Sequence, residues 1–544
     1  MSIMSRVLAR LFKLPPPGTH KVVVERGLQV PMRDGAVLLA DRYAPRRAGK
    51  QPTVLARGPY GRRGGGLFGR PIAERGYQVV IQSVRGTDGS GGTFDPFRQE
   101  SDDGLDTLRW VERQAWYSGA LVTVGASYLG FAQWAIAAEA GARLEAMSVQ
   151  MAFSSFRDAV YPGGAFALQA FAGWMSLMSR PSVLGTLSRL ITGDRKFKRA
   201  LERLPLGRVD EAMTGRTVPY FQQWLEHDAP DDPWWASAQH ADTVAKVTAP
   251  VYLLGGWYDF FLPFTVRDYA ALRAAGKRPY LTIGPWAHSG LAAMGVAVNE
   301  GLAFFDAHVR GDGSRLREEP VRIWVSGANE WRAYPEFPPP GARPERWYLQ
   351  AGGRLAPDPP ANSAPDAYRY EPADPTPAVG GPLGPGLSVK AGPVDNRGLE
   401  ARPDVLTYTS VALDRDVEVI GPVSAELFVR SSLEHTDFFA RLCDVHRFGR
   451  SINVCDGLLR LVPDRPALEP DGCRKVAIDL WPTAHRFRRG HRIRLQVSSG
   501  AFPRWARNLG SGEALATATT LRVAEQRVYH DPAHCSAVVL SRSG

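Results

Sequence analysis

Hydrophobic residues in the first third of the chain follow two alternating spacings. Apolar runs of strand length, such as PTVLAR, YQVVIQSV and LVTV, are separated by stretches in which apolar residues recur at helical spacing, such as DGLDTLRWVERQ and FAQWAIAAEAG. Strands that alternate with helices are typical of a parallel sheet covered by helices. The pattern therefore predicts the first part of an α/β domain over residues 1–147.

A long helical pattern then interrupts the strands. Between residues 148 and 242, Met, Phe, Trp and Leu recur at helical spacing, as in FALQAFAGWMSLMS, which predicts an inserted helical cap. Strand-like runs return with PVYLLGGW and PYLTIGPW and end near the helical pattern GLAFFDAHVRG. The second part of the α/β domain is thus expected over residues 243–346.

The pattern changes again after residue 346. A stretch rich in Pro, Gly and Ala, at about residues 356–386, is followed by short strand-like runs such as VSAELFVR, FFARLCDV and HRIRLQVSS. Many short strands with turn residues between them are typical of a sandwich of two sheets. We expect a C-terminal all-β domain over residues 347–544.

Length and composition fit a globular protein of several domains. The chain has 544 residues, of which 44% are hydrophobic and 22% charged, and no apolar run approaches the length of a membrane span. The N-terminal segment MSIMSRVLARLFKL lacks the apolar core and cleavage site of a signal peptide. Its basic amphipathic pattern fits either a packing helix or a contact with a membrane surface or a second subunit. We expect a cytoplasmic protein without stable membrane insertion, and homo-oligomerisation stays open.

Charge and cysteine usage argue against several classes of function. The formal net charge of +11 is spread along the chain rather than concentrated in a basic stripe, so no nucleic-acid partner is expected. Cys443, Cys455, Cys473 and Cys535 show neither C-x-x-C pairing nor histidines at zinc-ligand spacing. We expect free thiols and no metal, with one disulfide as the alternative if the protein is exported. The absence of a P-loop, a dinucleotide fingerprint and H-E-x-x-H predicts that no cofactor is used.

The segment GASYLG contains a candidate nucleophile. Ser127 lies between the strand-like LVTV and the helical FAQWAIAAEA, the position of a nucleophile elbow, although the usual G-x-S-x-G spacing is exceeded by one residue at Gly130. A serine hydroxyl needs an imidazole to accept its proton and a carboxylate to orient that imidazole. Asp259 follows VYLLGGWY and His288 follows YLTIGPWA, in the chain order of α/β-hydrolases. Because strand ends of a parallel sheet line one crevice, we expect these residues to converge.

Acyl transfer also requires hydrogen-bond donors for the developing oxyanion. The N–H of Tyr128, directly after the candidate nucleophile, is one such donor. The turn after PTVLAR places Tyr60 at another strand end, where it is either a second donor or a packing tyrosine.

These segments resemble the family of cocaine esterase, X-prolyl dipeptidyl-peptidase and α-amino-acid ester hydrolase. GASYLG matches that family's G-x-S-Y-x-G elbow, and RGPYG, VRGTDGSGG, GGWYD, GPWAH and HTDFFARLCDV match further segments over nearly the whole chain. The resemblance implies an α/β-hydrolase with an inserted helical cap and a C-terminal jelly roll. It also implies that Ser127 is the nucleophile, His288 the general base and acid, Asp259 its orienter, and the Tyr60 hydroxyl with the Tyr128 N–H the oxyanion hole.

The residues that follow the two motifs bear on the substrate. Family members that need a free α-amino group carry carboxylates near the acyl pocket, whereas Gly61 and Arg62 follow Tyr60 here. Similarly, Phe260, Phe261 and Leu262 follow the candidate orienter. A charged ammonium group would therefore lack a partner.

Aromatic residues match an apolar acyl pocket instead. Phe261 and the cap residue Trp174 match positions that line this pocket in the family, and Phe260 adjoins it. We predict a serine hydrolase that acts on small-molecule esters or amides of neutral, apolar acyl groups. The alternatives are an X-prolyl or aminoacyl peptidase or acylase and, from another class, a non-catalytic binding protein that uses the jelly roll. Asp437 in the TDF motif is interpreted as structural.

Overall fold

The computed structural model describes residues 3–19, 21–46, 49–179, 195–288, 290–384, 390–463 and 465–543, so residues 180–194 of the predicted cap lie outside the described residues. The chain divides into two compact units. The first comprises residues 1–157, 232–256 and 261–322, and the second comprises residues 158–231, 257–260 and 323–544. The domain boundaries expected from the sequence stay a prediction.

The first unit is built on a sheet with the strand order β1-β2-β4-β3-β5-β6-β7-β8. Neighbouring strands from β4 to β7 in this order are parallel, while β2 pairs antiparallel with both β1 and β4. The strands are β1 Val22–Pro31, β2 Val37–Pro45, β3 Thr53–Gly58, β4 Gln78–Ser83, β5 Leu121–Ala126, β6 Ala146–Gln150, β7 Val251–Tyr258 and β8 Tyr280–Ala287. Both β3 and β7 are buried at every position, which explains their continuous apolar runs.

Helices connect and cover these strands, as the alternating pattern predicts. They are α1 Ile3–Leu11, α2 Gly66–Ala73, α3 Glu100–Glu112, α4 Tyr128–Ala140, α10 Leu262–Ala274 and α11 Leu291–Arg310, together with the start of α5 Phe156–Val160, which continues in the second unit. Helix α4 buries Phe131, Trp134 and Ile136, since it packs with apolar residues on almost all of its sides. In α1, the Ser5 hydroxyl donates to the Glu74 carboxylate, which favours the packing interpretation of this segment.

The second unit contains the remaining helices of the cap region and many short strands. Its helices are α6 Leu168–Met178, α7 within residues 195–201, α8 Val209–Thr214, α9 Pro219–Glu226 and α12 Arg397–Glu400. Its strands are β9 Val321–Val325, which begins in the first unit, β10 Glu330–Tyr334, β11 Arg343–Gln350, β12 Arg354–Ala356, β13 Asp366–Tyr370, β14 Leu406–Thr409, β15 Val417–Ser431, β16 Thr436–Val445, β17 Ser451–Leu461, β18 Arg474–Asp479, β19 Thr483–Phe487, β20 Arg492–Ser498, β21 Ala524–Asp531, β22 His534–Cys535 and β23 Ala537–Ser543.

Strands β11 to β23 form one β-rich body around its own core. The main path of the sheet runs β13-β21-β15-β23-β11-β12-β14-β20-β16-β17, while β18 and β19 pair with β15, and β22 pairs with β21. Along β15, Ala425, Leu427 and Val429 point into the core and alternate with less buried residues, as expected for a strand with one solvated face. An α/β-hydrolase fold followed by a C-terminal β domain is therefore confirmed.

Two further expectations concern membranes and thiols. Within the described ranges, no helix combines the length and the apolar character needed to cross a membrane. The cysteines at positions 443, 455, 473 and 535 are free thiols, as expected from their spacing.

Candidate active site

Ser127 occupies a strained turn between β5 and α4. Its backbone angles, φ 59° and ψ −123°, lie where side chains are rarely tolerated, and its backbone N–H donates to the Gln150 carbonyl at 3.0 Å. The turn has the strand–turn–helix context of a nucleophile elbow. It leaves the Ser127 side chain half-buried at the carboxyl end of a central strand.

Packing explains why the glycine spacing of the elbow is one residue longer than usual. A Cβ on Gly130 would overlap the Ala152 Cβ, and a Cβ on Gly125 would overlap the Leu129 Cβ. Leu129 itself fills the space over Gly58, where a side chain would collide with it. Close approach of the backbone is therefore required at Gly125 and Gly130, whereas position 129 accommodates a leucine.

His288 lies directly after β8 and reaches the serine. Its Nε2 is 3.1 Å from the Ser127 Oγ, within hydrogen-bonding distance. The edge of the imidazole packs against the Phe261 ring, with centroids 5.1 Å apart and planes at 86°. The structure thus brings together the predicted nucleophile and base, and it places the apolar ring of Phe261 beside the base.

Asp259 directly follows β7, the strand next to β8 in the sheet order. It is fully buried, with 0% of its surface exposed. A buried carboxylate at this strand end fits the position of an orienting residue in the predicted triad. Its role as the orienter of His288 stays a prediction.

The Tyr128 side chain points away from the serine, into the interior. Its hydroxyl donates to Glu100 Oε1 at 2.7 Å and accepts the Phe97 N–H at 3.1 Å, and Glu100 in turn pairs with Arg57 at 3.1 Å. Burial raises the pKa of the Tyr128 hydroxyl well above its usual value and also raises the pKa of the Glu100 carboxyl. The role of the Tyr128 backbone N–H as an oxyanion donor stays a prediction.

Sequence reasoning missed the pair of Glu100 and Arg57 that anchors this tyrosine. Glu100 opens α3, and Arg57 lies in the apolar run of β3, where a single arginine gives no periodic signal. Only the juxtaposition of the two elements reveals the contact.

Tyr60 and Arg62 follow β3, the strand beside β5. Tyr60 is 47% exposed, and its role in an oxyanion hole stays a prediction. Arg62 is only 12% exposed in its side chain and pairs with Asp41 at 3.2 Å and Asp88 at 3.3 Å. Its charge is therefore balanced by carboxylates, and the case for a neutral acyl group depends on the aromatic residues rather than on Arg62.

Of the three predicted pocket residues, Phe261 contacts the predicted base His288. Its ring is buried and contacts Phe153, with centroids 4.5 Å apart, as well as His288. Phe260 is half-buried. Trp174 lies on α6, in an aromatic group with Tyr220 and Trp224. The contributions of Phe260 and Trp174 to an acyl pocket stay predictions.

Asp437 has the contacts of a structural carboxylate. It is buried, accepts two hydrogen bonds from Arg460 at 2.9 and 2.8 Å, and accepts a third from Asn508 at 2.8 Å. These bonds satisfy its charge inside the second unit, as the structural interpretation requires.

Replacement of Tyr60 by phenylalanine tests the second oxyanion donor. We expect Tyr60→Phe to lower kcat by about 10²- to 10³-fold with KM little changed, because only a bond formed in the transition state is lost. Steady-state kinetics on a neutral ester measures the effect. Tyr117→Phe is a matched control, since Tyr117 precedes β5 and so lies toward the opposite end of the strands. Equal turnover by Tyr60→Phe and the unmodified protein would restore the packing interpretation.

Comparison with known proteins agrees with these features. Residues 34–290 match the family model "X-Pro dipeptidyl-peptidase (S15 family)", and residues 315–539 match "X-Pro dipeptidyl-peptidase C-terminal non-catalytic domain". Cocaine esterase from Rhodococcus sp. (strain MB1 Bresler) is 33% identical over 95% of this chain and 98% of its own length.

Solved structures show the same fold over almost the whole chain. An α-amino acid ester hydrolase superposes with a TM-score of 0.83 at 24% identity, covering 97% of this chain and 98% of that protein. An aminopeptidase from a marine sediment Thaumarchaeota archaeon superposes with a TM-score of 0.82 at 23% identity, with the same coverage of both chains. Since both family models and a relative of nearly equal length match, the chain belongs to the S15 family of hydrolases, the family of cocaine esterase and X-Pro dipeptidyl-peptidase.

Proposed function

We propose that this protein is a serine hydrolase that cleaves carboxylic esters, and amides more slowly, of neutral apolar acyl groups. The observation that carries the proposal is the 3.1 Å separation of Ser127 Oγ and His288 Nε2 at a strained strand-to-helix turn. The similarity to an esterase over nearly the whole chain supports ester hydrolysis as the reaction.

The proposed reaction proceeds through an acyl-enzyme. Ser127 Oγ attacks the acyl carbonyl while its proton passes to His288 Nε2, and the oxyanion accepts hydrogen bonds from the Tyr128 N–H and the Tyr60 hydroxyl. His288 then protonates the leaving alcohol, and a water molecule activated by the same imidazole releases the acid. Asp259 orients His288 and stabilises the imidazolium that forms.

We assign these roles to a catalytic domain in two parts. The proposed domain comprises residues 1–147 and 243–346, with a cap over residues 148–242 and a jelly roll over residues 347–544. The pattern of strands along the chain supports a division near these boundaries, since β6 ends at Gln150 and β7 begins at Val251.

The proposed preference for a neutral acyl group follows from the apolar surface that Phe261 forms beside His288. Phe261 packs its ring against His288 and Phe153, so an acyl group that reaches the serine meets apolar surface there. We propose Phe260 and Trp174 as further parts of this pocket. A charged ammonium group buried against such a surface would be desolvated without a counter-charge, which is costly.

A matched pair of esters tests this selectivity. At a pH where the amine is charged, kcat/KM for a 3-phenylpropanoyl ester should exceed that of the phenylalanyl ester of the same alcohol by at least about tenfold, or roughly 1.4 kcal/mol. The ratio should shrink when the amine is deprotonated, because the two acyl groups then differ little in charge. If the charged ester is the better substrate, an aminoacyl hydrolase is favoured, with Asp158 or Glu226 as candidate carboxylates.

A further inference from the structure

A cluster of three metal-ligating side chains lies in the C-terminal β domain. The ligand atoms of Asp471, Cys473 and His534 are all within 4.8 Å of one another, and Asp471 Oδ2 is 3.0 Å from His534 Nε2. Metal–ligand bonds of about 2.0–2.3 Å place tetrahedral donors about 3.3–3.8 Å apart. Side-chain shifts of about 1 Å or less would therefore bring this set to bonding distances.

The register of the sheet produces the cluster. Strand β15 pairs with β18 on one side, where Val429 faces Arg474, and with β21 on the other, where Phe428 faces Tyr529. Cys473 directly precedes β18, and His534 lies on β22, which pairs with the end of β21. Residues separated along the chain thus meet across β15.

A carboxylate fixes the orientation of His534. Its Nδ1 lies 3.1 and 3.0 Å from the two Asp531 oxygens, and its ring packs against Phe428 and Tyr529. When Nδ1–H donates to Asp531, the neutral imidazole presents a lone pair at Nε2. That lone pair then faces a carboxylate oxygen of Asp471 at 3.0 Å, a separation that is explained either by a metal ion bound by both groups or by a proton on Nε2.

The thiol of Cys473 completes the donor set. Its side chain is buried. Its backbone N–H donates to Asp471 Oδ1 at 3.0 Å, which ties the two residues together. Two carboxylates, Asp471 and Asp531, surround the cluster, while Arg430 lies 3.9 Å from Asp471 and its Nη2 is 4.0 Å from the Cys473 Sγ.

We propose that Asp471, Cys473 and His534 bind one divalent transition-metal ion, with zinc as the best fit. Thiolate, imidazole and carboxylate are the ligands that zinc prefers, and three of them leave a fourth position for water. Asp531 is a positioning residue, in the arrangement by which carboxylates orient metal-bound imidazoles. The ion would join the segment before β18 to the β21–β22 hairpin and stabilise the C-terminal domain.

The proposal revises the expectation that no metal is bound. That expectation rested on spacing along the chain, and a pair at positions 471 and 473 with a histidine at 534 matches no zinc motif. Binding must displace the proton of Cys473, so the affinity should rise with pH.

Cobalt substitution tests the site without using activity as a readout. The full-length protein, stripped of metal by a chelator, should take up Co²⁺ with a thiolate-to-metal charge-transfer band in the near ultraviolet. Cys473→Ser should abolish the band. Cys535→Ser is the matched control and should retain it, because the Cys535 thiol donates to backbone carbonyls of Asp531 and Pro532.

The proposed positioning role of Asp531 is tested by the affinity of the site for Zn²⁺, measured by competition against bound Co²⁺. Asp531→Asn keeps all three ligands and should weaken binding by about 10- to 100-fold. This variant also decides the question if Cys473→Ser fails to fold. Among the described residues, Asp444, His446 and His491 form another group of candidate ligands. His491→Ala alters that group and should leave the cobalt band unchanged.

Three outcomes would overturn the proposal. They are no thiolate band in the unmodified protein, a band that survives Cys473→Ser, and unchanged affinity in a folded Asp531→Asn. In the first case a proton shared by His534 and Asp471 would explain their close approach. In the second, the metal would be bound by another cysteine, and in the third, Asp531 would not position a ligand.

Discussion

Replacing Ser127 by alanine is expected to lower kcat for a neutral ester by about 10⁵- to 10⁶-fold, because serine, imidazole and carboxylate act as one unit. The fold should survive, since the removed hydroxyl lies on a half-buried side chain and the strained turn is set by its glycine neighbours. Steady-state kinetics and the melting temperature of the purified variant measure both expectations.

Covalent labelling separates an enzyme from a non-catalytic binding protein. A fluorophosphonate probe should modify Ser127 in the unmodified protein and leave Ser127→Ala unlabelled. Ser101→Ala is a matched control, because the Ser101 hydroxyl donates to the Ala135 carbonyl at 2.9 Å outside the site. Full activity in Ser127→Ala, or labelling at another residue, would refute the assignment.

The contact between the candidate nucleophile and the candidate base could be predicted from local sequence. Strand-like runs that end at Ser127, Asp259 and His288 indicate where each side chain emerges, and the parallel sheet then forces these strand ends to one edge. The hydrogen-bonding distance between Ser127 and His288 agrees with that reasoning. Local patterns sufficed for this pair because Ser127 lies at the turn after β5 and His288 directly follows β8.

Contacts between distant polar residues could not be predicted in the same way. Arg62 carries a charge that its sequence neighbours leave unbalanced, yet Asp41 and Asp88 neutralise it in the fold. Likewise, Asp471 and His534 meet only because of the strand pairing around β15. Such pairs depend on register and side-chain reach, for which a single sequence has no periodic signal.

Replacing Asp259 by asparagine should lower kcat by about 10⁴-fold while the protein stays folded. Asparagine has nearly the same shape, so it fits the buried strand end after β7. It cannot stabilise the imidazolium, however, and its amide favours the wrong tautomer of His288. Steady-state kinetics on a neutral ester, together with the melting temperature, measures both expectations.

The same substitution at a second buried carboxylate is the control, because it should lower stability and leave activity unchanged. Asp437→Asn should leave kcat near that of the unmodified protein but lower the free energy of unfolding by about 3–5 kcal/mol, because it leaves the Arg460 cation buried without its counter-charge. Both variants replace a buried aspartate by asparagine, so their comparison separates an effect on catalysis from an effect on stability. If Asp259→Asn turned over the ester at the normal rate, Asp259 would be a structural carboxylate like Asp437. The group that orients His288 would then have to be another acid close to the end of β8.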